Sequence, residues 1–157
     1  MATVYLGIGS NVGDREAHIQ KAVALLREHG DVQGLSVTPL IETDAVSDLP
    51  QGKFLNGALE IKTDLLPLDL LSALKNIERR CGRIKSISGA PRTLDLDILF
   101  YDDIVIVDGK TLTIPHPRLH ERYFVLKPLS ELAPDLVHPR FQKTIRELLE
   151  ELAQHAP

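Results

Sequence analysis

The apolar stretch 3–8 predicts a strand that runs into a tight loop, Gly7-Ile8-Gly9-Ser10-Asn11; Asp14 then precedes Ile19, Ala22, Val23 and Leu26 at helical spacing. Residues 32–43 and 54–61 read as two further strands, with 44–53 between them as a candidate lid. Pro67 opens a helix whose apolar stripe is Leu70, Leu74, Ile77 and Cys81, and Gly82 is placed to end it. On that stripe Cys81 reads as a packed core thiol. Over residues 94–101, Leu94, Leu96, Ile98 and Phe100 alternate with Asp95, Asp97 and Leu99, the period of a half-buried strand. Asp108-Gly109 marks a hairpin turn between 104–107 and 111–114. A short helix is expected over 121–132. Thr144 with Glu147 makes a capping box ahead of Ile145, Leu148, Leu149 and Leu152.

The order strand, helix, strand, strand, helix, strand predicts an α+β fold with a ferredoxin-like core, in which a mainly antiparallel sheet carries its helices on one face. A length of 157 residues, 43% hydrophobic and 25% charged, fits a single domain over 1–157 and is enough chain for a full core. The longest apolar runs are four to six residues, against the ~20 of a membrane-spanning helix. Met-Ala-Thr-Val lacks a basic region before an apolar stretch, so neither an anchor nor an export signal is expected. With Cys81 the single cysteine, nothing calls for an oxidising compartment, and a cytoplasmic location is expected.

Charge is distributed unevenly. The net charge is −4, yet residues 79–92 hold Arg79, Arg80, Arg83, Lys85 and Arg92 with no acid, and residues 110–127 hold Lys110, Arg118, Arg122 and Lys127 against Glu121 alone. Two basic segments in an otherwise acidic chain favour a small anionic ligand over a long polyanion. A nucleic-acid partner is not expected, because the chain is not basic overall and tryptophan is absent. Arg79 and Arg80 read as a solvated helix end favoured by the helix dipole.

The strongest chemical constellation is Arg92-Thr93-Leu94-Asp95-Leu96-Asp97. Residues two apart on a strand project from one face roughly 6 to 7 Å apart, so Asp95 and Asp97 could share hard cations; alone, the pair also fits an exposed polar strand face. Arg83, Lys85 and Arg92 add cations that could neutralise phosphate oxygens. The proline-fixed segment Ile114-Pro115-His116-Pro117 could hold His116 and Arg122 towards the same anion. The His116–His120 spacing could also serve zinc, but no third ligand is evident nearby. Phe54 and Asn56 share one strand face, joining a stacking surface to an amide that both donates and accepts, which suits a flat heterocycle. The glycine loop lacks the lysine of a P-loop and the spacing of a dinucleotide fingerprint, and reads as a structural turn.

Taken together, Gly9-Ser10-Asn11, Phe54-Leu55-Asn56, Gly82-Arg83, Pro91-Arg92-Thr93-Leu94-Asp95-Leu96-Asp97, Ile114-Pro115-His116, Arg122-Tyr123-Phe124 and Leu132-Ala133-Pro134 resemble the 6-hydroxymethyl-7,8-dihydropterin pyrophosphokinases of folate biosynthesis. The resemblance implies transfer of diphosphate from ATP to a reduced pterin alcohol, with AMP as the other product. It implies two Mg2+ ions on Asp95 and Asp97, with Arg83 and Arg92 acting on the phosphates. Lys85, Ile98, His116 and Arg122 would belong to the ATP site. Phe54 and Phe124 would sandwich the pterin, and Asn56, Asp95 and groups near Thr43 and Val46 would meet its polar edge. The mobile loops of the family would correspond to 44–53 and 83–91. Ser88, Lys85 and the lack of a tryptophan in the second of these depart from the commoner pattern, as does Pro117 in place of an aromatic residue. The expected partners are the two substrates and no membrane, with the chain a monomer or weak homodimer. A ligand sensor without turnover, a structural protein with an exposed acidic face, and a nucleotidyl or simple phosphoryl transferase are the competing readings.

Overall fold

A computed structural model describes residues 1–44, 52–82, 93–107 and 111–155. The sheet is organised around β1 (Ala2–Ser10), which pairs antiparallel with β4 (Phe54–Thr63) on one side and β5 (Asp95–Tyr101) on the other. β2 (Val32–Val37) and then β3 (Ile41–Thr43) line the outer edge of β4, giving the order β2-β4-β1-β5. With α1 (Arg15–Glu28) between β1 and β2 and α2 (Pro67–Arg80) between β4 and β5, this is the split βαβ arrangement of a ferredoxin-like core. A second, two-stranded sheet joins β6 (Ile106–Val107) to β7 (Thr113–Ile114), and the expected turn at 108–110 lies outside the described residues.

The first helical layer follows from the apolar periods. α1 contributes Ile19, Ala22 and Leu26, and α2 contributes Leu70, Leu74, Ile77 and the buried thiol of Cys81. They pack on Val4, Leu6, Ile8, Leu59, Ile61, Leu96 and Ile98. Asp14 caps α1 by accepting the Ala17 N–H at 3.1 Å, and Pro67 sits where its missing N–H costs nothing. Helices occupy both faces of the sheet, not one. α3 (Tyr123–Leu132) and α4 (Ile145–Gln154) bury Leu126, Leu129, Ile145 and Leu148 against Tyr5, Ala58, Leu99 and Phe100 on the opposite side. The capping box of α4 is present, with Thr144 Oγ1 accepting the Glu147 N–H at 3.1 Å. Its apolar stripe needs a partner, and the odd-numbered face of β1 supplies one.

Four local differences have physical causes. The expected glycine loop is strand as far as Ser10, because Gly7 and Gly9 are paired on both sides. The strand expected over 32–43 is broken at Thr38-Pro39-Leu40, where Pro39 offers no N–H; Thr38 keeps contact by donating its N–H to the Ala58 carbonyl at 3.1 Å and accepting the Ala58 N–H at Oγ1 at 2.9 Å. The helix expected from 121 begins as a 3-10 turn, Leu119–Glu121, before α3 starts at Tyr123. The β1–β5 register shifts between Tyr5 and Leu6, so Leu99 and Phe100 both enter the second cluster and the alternation seen up to Ile98 ends there.

His138 anchors the segment before α4. It is 3% exposed, its Nδ1 accepts the N–H groups of Arg140 and Phe141 at 3.1 and 3.2 Å, and its ring stacks on Phe141 at 4.1 Å. Burial, followed by the charges of His120 and Arg140, lowers its pKa to about 4. Between that value and the ordinary one of about 6.5 the unfolded chain binds the proton and the folded chain does not. Stability is therefore expected to fall as pH drops from 6.5 towards 4. Denaturant titrations across that window should show a shallower fall for His138→Asn, and an unchanged slope would refute a neutral buried imidazole. Leu74→Ala, at a site with 0% exposure, should cost about 2–5 kcal/mol of unfolding free energy, whereas Leu68→Ala, at 55% exposure, should stay within about 0.5 kcal/mol.

Candidate active site

Residues facing each other across a ladder share one side of the sheet, so the register alone assembles a site. Asp95 on β5 faces Gly9 on β1, Gly9 faces Asn56 on β4, and Asn56 faces Ile41 on β3. One step along, Asp97 faces Gly7, which faces Ala58. Thr43 faces Phe54 on the same side. Towards this end of the sheet Thr43, Phe54, Asp95 and Asp97 are half-buried.

The two glycines form the floor. A Cβ on Gly9 would lie 2.6 Å from Asn56 Oδ1, closer than any side chain tolerates. With that space open, Asn56 lies 7% exposed and donates from Nδ2 to Thr43 Oγ1 at 2.8 Å, leaving its carbonyl oxygen over the strand. On the far side of the floor the carboxylates lie two residues apart on one strand. Burial first, then the charges of Asp95 and Glu78, push the Asp97 carboxyl up to about 7. Glu78 of α2 reaches β5 from behind and accepts the Leu96 N–H at Oε2 at 2.8 Å, which holds the strand between the two acids. A hard divalent cation would relieve the repulsion, and two carboxylates with phosphate oxygens and water are a normal ligand set for Mg2+. The donor chemistry therefore fits that ion. Among the described residues no group of three or more His, Cys, Asp or Glu side chains forms a metal cluster.

His116 and Arg122 close the cluster. The His116 N–H donates to the Leu99 carbonyl at 3.0 Å, which docks its segment against β5, and its Nδ1 accepts the Arg118 N–H at 3.2 Å. That bond leaves the imidazole proton on Nε2, ready to donate. Burial, then the Arg122 charge, lowers its pKa to about 4, with Asp95 opposing. Arg122 stands at the N-cap of α3, with its guanidinium 5.6 Å from the Phe124 ring centroid. Its charge acts on both His116 and Asp97, so these groups share one electrostatic site.

Ile98 turns the other way from the acids. Its side chain is 4% exposed and lies in the core under α1 and α2, on the opposite face from Asp95 and Asp97. Only its main chain, on the edge strand β5, is left to meet a ligand. Val46, Arg83, Lys85 and Arg92 lie outside the described residues, as does most of each proposed mobile loop. Gly7 and Gly9 are the site residues that reading the chain alone misses, although their two-residue spacing matches that of Asp95 and Asp97.

Residues 5–134 match the sequence pattern of 7,8-dihydro-6-hydroxymethylpterin-pyrophosphokinase (HPPK). The chain is 44% identical over 147 residues to the 2-amino-4-hydroxy-6-hydroxymethyldihydropteridine pyrophosphokinase of Aquifex aeolicus, covering 94% of this chain and 90% of that one. The Bacillus subtilis protein of the same name is 46% identical over 128 residues, or 82% of this chain and 76% of its own. Folic acid synthesis protein fol1 of Schizosaccharomyces pombe is 45% identical over 148 residues, which are 94% of this chain but 20% of the yeast protein. The crystal structure of Plasmodium falciparum HPPK-DHPS with pteroate superposes with a TM-score of 0.73 at 17% identity, over 98% of this chain and 42% of that one. At that identity the likeness is one of fold.

Two measurements test the site as built. The Asp97 carboxyl should titrate near 7 in the unliganded protein by 13C NMR, and Asp95→Asn should lower that value part of the way, since burial remains. An ordinary carboxylate value in the parent would contradict the packing described. Gly9→Ala should displace the Asn56 amide, and an unchanged Asn56 side-chain resonance would show that the floor has room after all.

Proposed function

The chain belongs to the 7,8-dihydro-6-hydroxymethylpterin-pyrophosphokinase family, and we propose that it transfers diphosphate from ATP to the hydroxymethyl group of 6-hydroxymethyl-7,8-dihydropterin in folate biosynthesis. The observation that carries this reading is the row Asp95, Gly9, Asn56 across three paired strands, which sets the acidic pair beside the amide and the Phe54 ring on one sheet face.

In this reading Asn56 and Thr43 face the polar edge of the pterin, joined by Val46, while Phe54 and Phe124 bracket its ring. The hydroxymethyl oxygen forms a bond to the β-phosphorus and gives up its proton to water, as the bond from that phosphorus to the oxygen shared with the α-phosphate breaks and AMP leaves. Such a transfer needs positioning and charge neutralisation more than a covalent intermediate. His116 supplies a neutral Nε2–H donor and Arg122 a planar cation for the triphosphate, joined by Arg83, Lys85 and Arg92. The Ile98 main chain completes the nucleotide site. Asp95 and Asp97 would hold two Mg2+ ions, whose chemistry there is neutralisation of phosphate charge. The mixed sign of the site supports this. A cluster of acids alone would repel ATP, and a cluster of bases alone would leave the cation no seat.

An assay with ATP and the reduced pterin, resolving AMP from ADP, tests the reaction. AMP should form in step with the pterin diphosphate, should require Mg2+, and should be lost in Asp97→Ala. ADP as the product would replace this reading with simple phosphoryl transfer. Arg92→Ala should lower turnover by about 10³-fold, by analogy with arginine fingers, while pterin binding changes far less. Equal losses in both would make Arg92 structural.

A further inference from the structure

Arg15 occupies the first turn of α1, where a cation opposes the helix dipole, so its identity is not explained by helix stability. Its guanidinium instead spans two points on the face of the sheet that α1 covers, behind the Thr43 and Phe54 pair. Nη2 donates to Glu42 Oε2 at 2.7 Å and Nη1 donates to the Lys53 carbonyl at 3.0 Å. These acceptors stand on either side of the facing pair Thr43 and Phe54: Glu42 precedes Thr43 on β3, and Lys53 precedes Phe54 on β4. The preceding turn adds a second tie. Asn11, 6% exposed, donates from Nδ2 to the Gly52 carbonyl at 3.2 Å. A Cβ on Gly52 would lie 3.4 Å from the Asn11 carbonyl oxygen, so the two backbones pass close together.

β3 is three residues long and pairs with β4 through Ile41, Glu42 and Thr43. So short a ladder frays at its open end unless something holds it. We infer that Arg15 is a positioning residue for the pterin: by holding Glu42 and Lys53 with one rigid fork, it fixes the spacing of Thr43 and Phe54 and through Thr43 the orientation of Asn56. The inference rests on the reading of the face that carries Thr43, Phe54 and Asn56 as the pterin site. A planar guanidinium suits the task because it serves two acceptors at once in fixed geometry, which an ammonium does not. The Arg15 and Glu42 side chains are 30% and 47% exposed, so the ion pair adds little to folding stability. Its effect belongs to binding geometry. Arg15 also holds Glu42 below its ordinary carboxylate pKa, chiefly through the hydrogen bond, so the contact persists through neutral pH.

The test compares the full chain with Arg15→Ala, Arg15→Lys and Glu42→Gln in the AMP-forming assay, measuring KM for 6-hydroxymethyl-7,8-dihydropterin and for ATP separately, with the thermal unfolding midpoint of each variant. Arg15→Ala should raise the pterin KM about three- to tenfold and leave the ATP KM and the midpoint close to the parent. Arg15→Lys and Glu42→Gln should fall between. A pterin KM unchanged in all three variants, or pterin and ATP constants that rise together with a lowered midpoint, would overturn the role. If Arg15→Ala fails to fold, the same split in the lysine and glutamine variants decides the matter. A parent that forms no AMP would defeat the reading of the whole site, whereas an active parent with indifferent variants would defeat the role of Arg15 alone.

Discussion

The pairing of β1 with a neighbour on each side is the constraint on which the site depends. Facing residues in a sheet compete for the same space, and on β1 the competitor is a glycine at both positions that face the acids. Gly9 leaves room for the Asn56 amide, and Gly7 lies between Asp97 and Ala58. A slip of one residue would send Asp95 and Asp97 into the core that α1 and α2 cover, where two carboxylates could not be accommodated. Leu94, Leu96 and Ile98 prevent that slip by being fully committed to the core on the other face. The buried carboxylate of Glu78, bonded to the Leu96 N–H, ties the same strand to α2.

A second helical layer covers part of the sheet's other face. α3 and α4 seal Tyr5, Ala58, Leu99 and Phe100, and the chain leading into α3 delivers His116 and Arg122 to the margin of the sealed area. The Arg122 charge favours the ionised form of Asp97 and disfavours the protonated form of His116, while Asp95 does the opposite to each. The like charges repel: Asp95 and Glu78 act against the ionised form of Asp97, and Arg122 acts against a charged His116. In the proposed reading a polyphosphate with its cations would answer both signs at once.

What was legible in the chain was whatever depends on a residue and its near neighbours. The apolar periods of α1, α2 and α4, the caps at Asp14 and Thr144, and the alternation from Leu94 to Ile98 are local properties, and each was readable because one face of each element must be dry. The acid pair was legible for the same reason, since spacing of two means one face. The side taken by Phe100 is set by a register shift against Tyr5 and Leu6, ninety-odd positions away, which no local alternation contains. The glycines of β1 passed for a turn because nothing beside them announces a strand on each flank. Helices on both faces are not legible locally, because the second layer answers to residues such as Tyr5 and Ala58, whose burial no local period reveals. The grasp of Arg15 on Glu42 and Lys53 joins positions 27 and 38 residues apart. Sequence alone determined which residues could do the chemistry and which faces must be buried, because propensity and hydrophobic period act over a few residues. Tertiary structure decided which of those residues meet, because register and close approach belong to pairs of strands and not to either strand alone.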